Sequence, residues 1–167
     1  MDICILRHGK AEQGGPGMDD ADRRLTGKGR TEIAIAGRYL ASQEIPLDLI
    51  ATSPLARARE TAGIVAGKLG QKTPPITWKV LAPGGRPDDV CRELDRHQDC
   101  RAILIVGHEP LLSALISRII CGQENAAIGL SKGGLALVRG FTSSQMPAGE
   151  LRWLLTARQI ADLSSGS

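Results

Sequence analysis

The sequence predicts an α/β fold with a largely parallel central sheet closed by an antiparallel edge. Three observations carry this reading. Strand-like and helical segments alternate along most of the chain. The run Ala102-Ile103-Leu104-Ile105-Val106 is the clearest central strand. Two later runs, from Gly134 to Arg139 and from Glu150 to Thr156, alternate or run apolar as a closing antiparallel pair would. At 167 residues, with 42% hydrophobic, the chain has the size and composition of one domain with a sizeable core. No internal repeat or linker interrupts it, so residues 1–163 read as a single domain and residues 164–167 as a frayed tail.

Each element has a local reason. Asp2-Ile3-Cys4-Ile5-Leu6 is apolar and β-prone after its first residue and reads as a buried strand. A long loop, Lys10 to Leu25, carries Gly14-Gly15-Pro16-Gly17 and the acidic residues Asp19, Asp20 and Asp22. Thr26 is placed to cap a helix running to about Gln43, with Ile33, Ala36, Gly37 and Leu40 as its buried stripe. Leu47 to Thr52 reads as the second strand. Ser53 is then expected to cap a helix with Pro54 in its first position, ending at Gly70. Ile76 to Leu81 reads as a short strand, and Ala82-Pro83-Gly84-Gly85 as a turn. Pro87 opens a helix to His97, and Pro110 opens one to Ile120 with Leu112, Leu115, Ile116 and Ile119 on one face.

Composition narrows the function. The formal net charge is only +3, from 21 Lys+Arg against 18 Asp+Glu, too little to argue for a nucleic-acid surface. Tyr39, Trp78, Phe141 and Trp153 are the only aromatic residues, which disfavours a base-stacking platform. Cys4, Cys91, Cys100 and Cys121 form no C-x-x-C pair and read as reduced thiols, with a zinc site a poor second. No apolar run approaches the ~18 residues of a membrane span, and no basic region precedes the first apolar stretch. A cytoplasmic protein is therefore expected.

The chemistry concentrates at strand ends. Arg7-His8-Gly9 closes the first strand, His108 closes the central one, and Arg57 lies in Ser53-Pro54-Leu55-Ala56-Arg57-Ala58. Open α/β sheets place their ligands at such carboxyl edges. Two guanidinium forks, Arg7 and Arg57, can hold one phosphoryl group and stabilise charge as it shifts during an in-line displacement. His8 attacks phosphorus only when neutral, with its other ring nitrogen held as N–H by a carbonyl; nearby arginines favour that form. His108 is placed as a donor to a phosphoryl oxygen, with Glu109 or the helix opening at Pro110 able to influence its charge.

These motifs resemble a known family. Arg7-His8-Gly9, Leu25-Thr26-x-x-Gly29, Ser53-Pro54-x-x-Arg57-Ala58-x-x-Thr61 and Gly107-His108-x-Pro110 follow one another as in the histidine phosphatase superfamily. The small size, without insertions, resembles its SixA-type phosphohistidine phosphatases. The resemblance spans Ile3 to about Val138. It implies a phosphoglycerate-mutase-like three-layer α/β/α sandwich. It also implies His8 as the phosphorylated nucleophile and a phosphate pocket of Arg7, Arg57 and His108, with Gly9 beside the substrate. No metal or organic cofactor is implied. The expected partner is a phosphorylated protein, such as a histidine-phosphotransfer domain, or a small phosphorylated substrate, with a monomer favoured.

One departure bears on substrate. Larger members of that superfamily carry a carboxylic acid before the second-histidine strand, which protonates the leaving oxygen. Here the corresponding stretch, Val80-Leu81-Ala82-Pro83-Gly84-Gly85, has no carboxylate. Asp19, Asp20, Asp22 and Asp88 are the substitutes. An imidazole leaving group needs less help than an alkoxide, so the gap fits phosphohistidine chemistry. The alternatives are a phosphomonoesterase for a small metabolite and a phospho-ligand binding module without catalysis; an intact His8 argues against the latter. Among other polar residues, His97 sits among Asp95, Arg96 and Asp99 and reads as solvated. Arg59 reads as a surface charge. Gly14-Gly15-Pro16-Gly17 lacks the Gly-Lys-Ser/Thr of a P-loop. Arg23 and Arg24 either balance the neighbouring aspartates or meet an acidic partner, with equal weight.

Overall fold

The computed structural model describes residues 1–143 and 146–165. Its sheet has six strands: β1 (Asp2–Arg7), β2 (Leu47–Thr52), β3 (Ile76–Thr77), β4 (Ala102–Gly107), β5 (Leu135–Thr142) and β6 (Ala148–Leu155). They lie in the order β3-β2-β4-β1-β5-β6. The first four are mutually parallel, while β5 runs antiparallel to both β1 and β6. The mostly parallel sheet with an antiparallel edge, expected from the alternation of elements, is what forms.

Side-chain alternation along the strands builds two cores, one on each face. Ile3, Ile5, Ile103 and Ile105 point to the face covered by α3 (Pro87–Asp95) and α4 (Leu111–Cys121). Cys4, Leu6, Leu104 and Val106 point to the face covered by α1 (Gly27–Ser42), α2 (Ala56–Lys68) and α5 (Ala157–Ser165). This is a three-layer α/β/α sandwich. From Ala102 to Val106, β4 is completely buried, as a strand covered on both faces must be. Ile103, Leu104, Ile105 and Val106 each contribute about 1.5–3 kcal/mol of burial.

Several boundaries differ from expectation, each for a visible reason. Thr26 does cap α1, accepting from the Gly29 N–H at 3.0 Å. Ser53 does not cap α2. That helix starts at Ala56 after Leu55, and the Ser53 hydroxyl lies 2.7 Å from a His108 ring nitrogen. Arg57 therefore lies in the first turn of α2. The expected strand from Ile76 to Leu81 keeps only Ile76–Thr77. Residues Lys79–Leu81 wind into a 3-10 turn that drives Leu81 into the core. The helix opened by Pro87 ends at Asp95, and Arg96 caps it.

The frayed tail is the clearest revision. Residues 164 and 165 complete α5, with the Ser164 hydroxyl bonded to the Ile160 carbonyl at 2.8 Å. Residues 166 and 167 lie outside the described residues. A capping box starts this helix: Gln159 N–H donates to Thr156 Oγ1 at 3.2 Å, and Thr156 N–H donates to Gln159 Oε1 at 2.9 Å. No disulfide occurs among the described residues; all four cysteines are free, and burial pushes the Cys4 and Cys91 thiols up to about 12. No helix among the described residues is long and apolar enough to cross a membrane.

Candidate active site

Register places the chemistry. β1 and β4 are paired so that Arg7 lies opposite Gly107. His8 and His108, one residue further along each strand, therefore emerge side by side. The His8 N–H bonds the Gly107 carbonyl at 3.1 Å, and the two imidazole centroids are 4.8 Å apart. The next strand, β2, ends against β4 with Ser53 N–H on the Val106 carbonyl at 2.9 Å, which sets the Ser53 hydroxyl against His108. The carboxyl edge of three adjacent parallel strands thus delivers His8, His108 and Ser53 to one place.

His8 is buried and its tautomer is fixed. Nδ1 lies 2.8 Å from the Gly9 carbonyl oxygen, which can only accept. The proton is therefore on Nδ1, and Nε2 keeps its lone pair. The His8 pKa is pushed down from 6.5 to about 4. Burial is the main cause; the Nδ1–H bond opposes it, and the charges of Arg57, Arg7 and Lys132 reinforce it. Sequence reasoning credited the arginines, which here rank behind burial. His108 is lowered further, to about 3, by burial first and then by His8 and Arg57, with Asp20 opposing. Both rings are neutral at pH 7.

Arg7 and Arg57 border the same place. The Arg7 guanidinium is tethered through Nη1 to the Leu130 carbonyl at 2.9 Å. Its Nε is buried with no partner among the described residues, and so is His108 Nδ1. Buried polar atoms are normally paired, so these two orphans, on the arginine whose charge acts on His8 and on the imidazole beside it, are places that can receive a ligand atom. Arg57, 6% exposed, donates from Nη1 to the Asp20 carbonyl at 2.7 Å and from Nη2 to the Asp20 carboxylate at 2.9 Å. Thr61 ties this turn to the nucleophile: its hydroxyl donates to the Arg57 carbonyl at 2.7 Å and accepts from the Gly9 N–H at 3.2 Å.

The glycines of the motifs serve close packing. A Cβ on Gly9 would stand 2.7 Å from Ile33 Cγ1, and one on Gly29 only 2.2 Å from the Lys10 carbonyl oxygen. Both keep the amino end of α1 against the nucleophile loop. The Gly9 N–H goes to Thr61 and its carbonyl to His8, so Gly9 also positions the nucleophile.

Of the four aspartates named as substitute acids, Asp20 reaches the site. Asp19 accepts from the Ala21 N–H at 3.0 Å, and Asp88 is paired with Arg118 at 2.9 Å. Arg23 and Arg57 hold the Asp20 carboxyl below its usual range, so it is ionised. Arg23 thereby follows the charge-balancing reading. Glu109 does not face His108; its carboxylate accepts from Ser113 N–H at 3.1 Å at the start of α4. Leu81 O lies 3.6 Å from where a Gly107 Cβ would stand, so the segment without a carboxylate does border the site. His97 stacks on Trp78 at 5.2 Å, well away in role from the two other histidines. No cluster of His, Cys, Asp or Glu able to hold a metal ion occurs among the described residues.

Sequence reasoning missed three contributors. Thr61 was visible as a motif residue but not as the bridge between Arg57 and Gly9. Asp20 was one of several acids with nothing local to single it out. Lys132 had no signal at all: it approaches His8 because the Gly133 N–H bonds the Arg7 and His8 carbonyls at 3.1 and 3.2 Å, folding that loop against the end of β1.

Comparison with known proteins agrees with this geometry. A family model for the histidine phosphatase superfamily (branch 1) matches residues 3–82. An uncharacterised protein of Picosynechococcus sp. is 34% identical over 143 residues, covering 83% of this chain and 85% of its own. The phosphohistidine phosphatase SixA of Escherichia coli is 26% identical over 125 residues, covering 74% of this chain and 76% of its own. A structure of the protein histidine phosphatase SixA complexed with tungstate superposes with a TM-score of 0.85 at 23% identity, covering 95% of this chain and 98% of that one. The chain belongs to the histidine phosphatase superfamily. Within that superfamily it is a phosphatase, built on the fold seen in SixA.

Proposed function

We propose that the protein is a cofactor-independent phosphatase that hydrolyses protein phosphohistidine through a phosphohistidine intermediate on its own His8. The observation that carries this reading is the pair of buried, unpartnered nitrogens, Arg7 Nε and His108 Nδ1, beside a neutral His8 whose Nε2 lone pair is free. When the Ser53 hydroxyl donates to His108 Nε2, the His108 proton sits on Nδ1 and is available to a phosphoryl oxygen.

In the first step His8 Nε2 forms a bond to phosphorus as the bond to the leaving imidazole nitrogen breaks and that nitrogen takes the electron pair. The leaving ring departs neutral when its other nitrogen carries a proton. Arg7, Arg57 and His108 stabilise the equatorial oxygens throughout. In the second step water attacks phosphorus, the bond to His8 Nε2 breaks, and inorganic phosphate leaves with the water's oxygen. His8 returns to its neutral form with Nδ1–H still on the Gly9 carbonyl.

Substrate choice follows from proton supply. The Val80–Gly85 segment at the site has no acid, and Asp20, the carboxylate that does reach it, is ionised by its two arginines. An alkoxide leaving group would lack its proton. The expected order of kcat/KM is therefore protein phosphohistidine, then aryl phosphates such as p-nitrophenyl phosphate, then sugar and serine phosphates. A panel of the three classes tests this. If a sugar phosphate is the best substrate and its turnover requires Asp20, the metabolite phosphomonoesterase reading replaces this one.

A further inference from the structure

Beside the phosphoryl site lies a second feature that the chemistry above does not use. A groove of about 820 Å³ opens from Arg7 and runs between the amino ends of α1 and α5. Five cations line it, namely Arg7, Lys10, Lys28, Lys132 and Arg158, against one carboxylate, Glu32. Glu32 pairs with Lys10 through Oε1 at 2.9 Å, while its Oε2 is buried and has no partner among the described residues. Arg158 has an acid at 4.0 Å, Asp162, but both are largely exposed and that pair is screened. The amino ends of two helices add positive field to the same space. For a chain of net charge +3, this is a strong local concentration of one sign.

The volume falls in the range of about 300–1,000 Å³ that accommodates ligands of many heavy atoms, far more than one phosphoryl group occupies. No aromatic side chain among the described residues lines the groove to stack a base. We infer that this groove receives an acidic segment of the phosphorylated protein, seating its carboxylates on Lys28, Lys132 and Arg158 while Arg7 holds the phosphoryl group at the groove's inner end. The inference rests on the protein-phosphohistidine reading for its biological partner, but the recognition chemistry is testable without it.

The probe is fluorescently labelled octaglutamate, with octaglutamine as the neutral control and octathymidylate as the nucleic-acid control. Binding is read by anisotropy at low ionic strength, where exposed charges act over the longest range. Octaglutamate should bind wild type, weaken as salt rises, and bind Lys28→Glu/Arg158→Glu roughly tenfold more weakly, the scale of reversing two exposed charges. Arg92→Glu/Arg96→Glu changes net charge equally on α3 and its cap, across the sheet, and should retain octaglutamate binding. Equal loss in both double variants, binding of octaglutamine as tight as octaglutamate, or tighter binding of octathymidylate each overturns the inference. A second arm separates it from the parent reading: phosphohistidine peptides with acidic or glutamine flanks are compared by kcat/KM. A preference for acidic flanks that the Lys28→Glu/Arg158→Glu variant abolishes supports the groove, and turnover of both peptides alike overturns it. If neither peptide is turned over while octaglutamate binding follows the expected pattern, the phosphohistidine reading fails and the groove stands.

Discussion

Burial of His8 should be measurable as a pH dependence of stability. In the unfolded chain His8 takes up a proton as pH falls through 6.5; in the folded chain it does so only near about 4. Between those values the unfolded state binds more protons, so acid favours unfolding. The contribution is fully present above pH 6.5 and is lost as pH falls toward 4. Integrating the linkage with these two values gives a loss of about 2 kcal/mol between about pH 7.5 and about pH 5. Other groups titrate in the same window, so the measurement is a double difference. Urea unfolding of wild type and His8→Gln is recorded at both pH values, and the pH-dependent loss in the variant is subtracted from that in wild type. The remainder should be about 2 kcal/mol. A remainder below about 0.5 kcal/mol would mean that folded His8 titrates close to its ordinary pKa, and the argument for a neutral, lone-pair nucleophile in a desolvated pocket would fail.

Two further outcomes follow from the arginines. Arg57→Ala should cost roughly 10²-fold or more in kcat, the scale for losing one preorganised charge-stabilising donor, whereas Arg59→Ala, on an exposed position of the same helix, should cost much less; steady-state turnover of p-nitrophenyl phosphate distinguishes them, and equal effects would contradict the geometry. Asp20→Asn removes an ionised carboxylate from the Arg57 fork, where an incoming phosphoryl group must compete with it; inorganic phosphate should inhibit this variant at a several-fold lower concentration, as about 1 kcal/mol of relieved charge competition would give.

The sequence was most legible where structure is decided locally. Thr26 caps α1 because a hydroxyl three residues before Gly29 has its acceptor geometry built in. The unbroken apolar run of β4 could only be covered on both faces. The motif residues Arg7, His8 and His108 stand at strand ends in the sequence, and the fold brings them and Arg57 to one edge of the sheet. What stayed hidden depended on partners remote in sequence. Ser53 has the local features of a helix cap, but His108, 55 residues away, stands on its hydroxyl. Asp20 is indistinguishable from Asp19 and Asp22 until α2 presents Arg57 to it. The groove cations come from four separate segments and have no shared periodicity. α5 escaped the sequence reading although the Thr156-x-x-Gln159 capping box was a local signal for it.

The central claim is that His8 Nε2 becomes phosphorylated, and rapid-quench labelling tests it most directly. Enzyme mixed with ³²P-labelled substrate and quenched within one turnover should carry label that is stable to base, lost in acid, and located on the peptide containing His8. His8→Ala should show neither the label nor turnover. Label on another residue, or robust turnover by His8→Ala, would contradict the account.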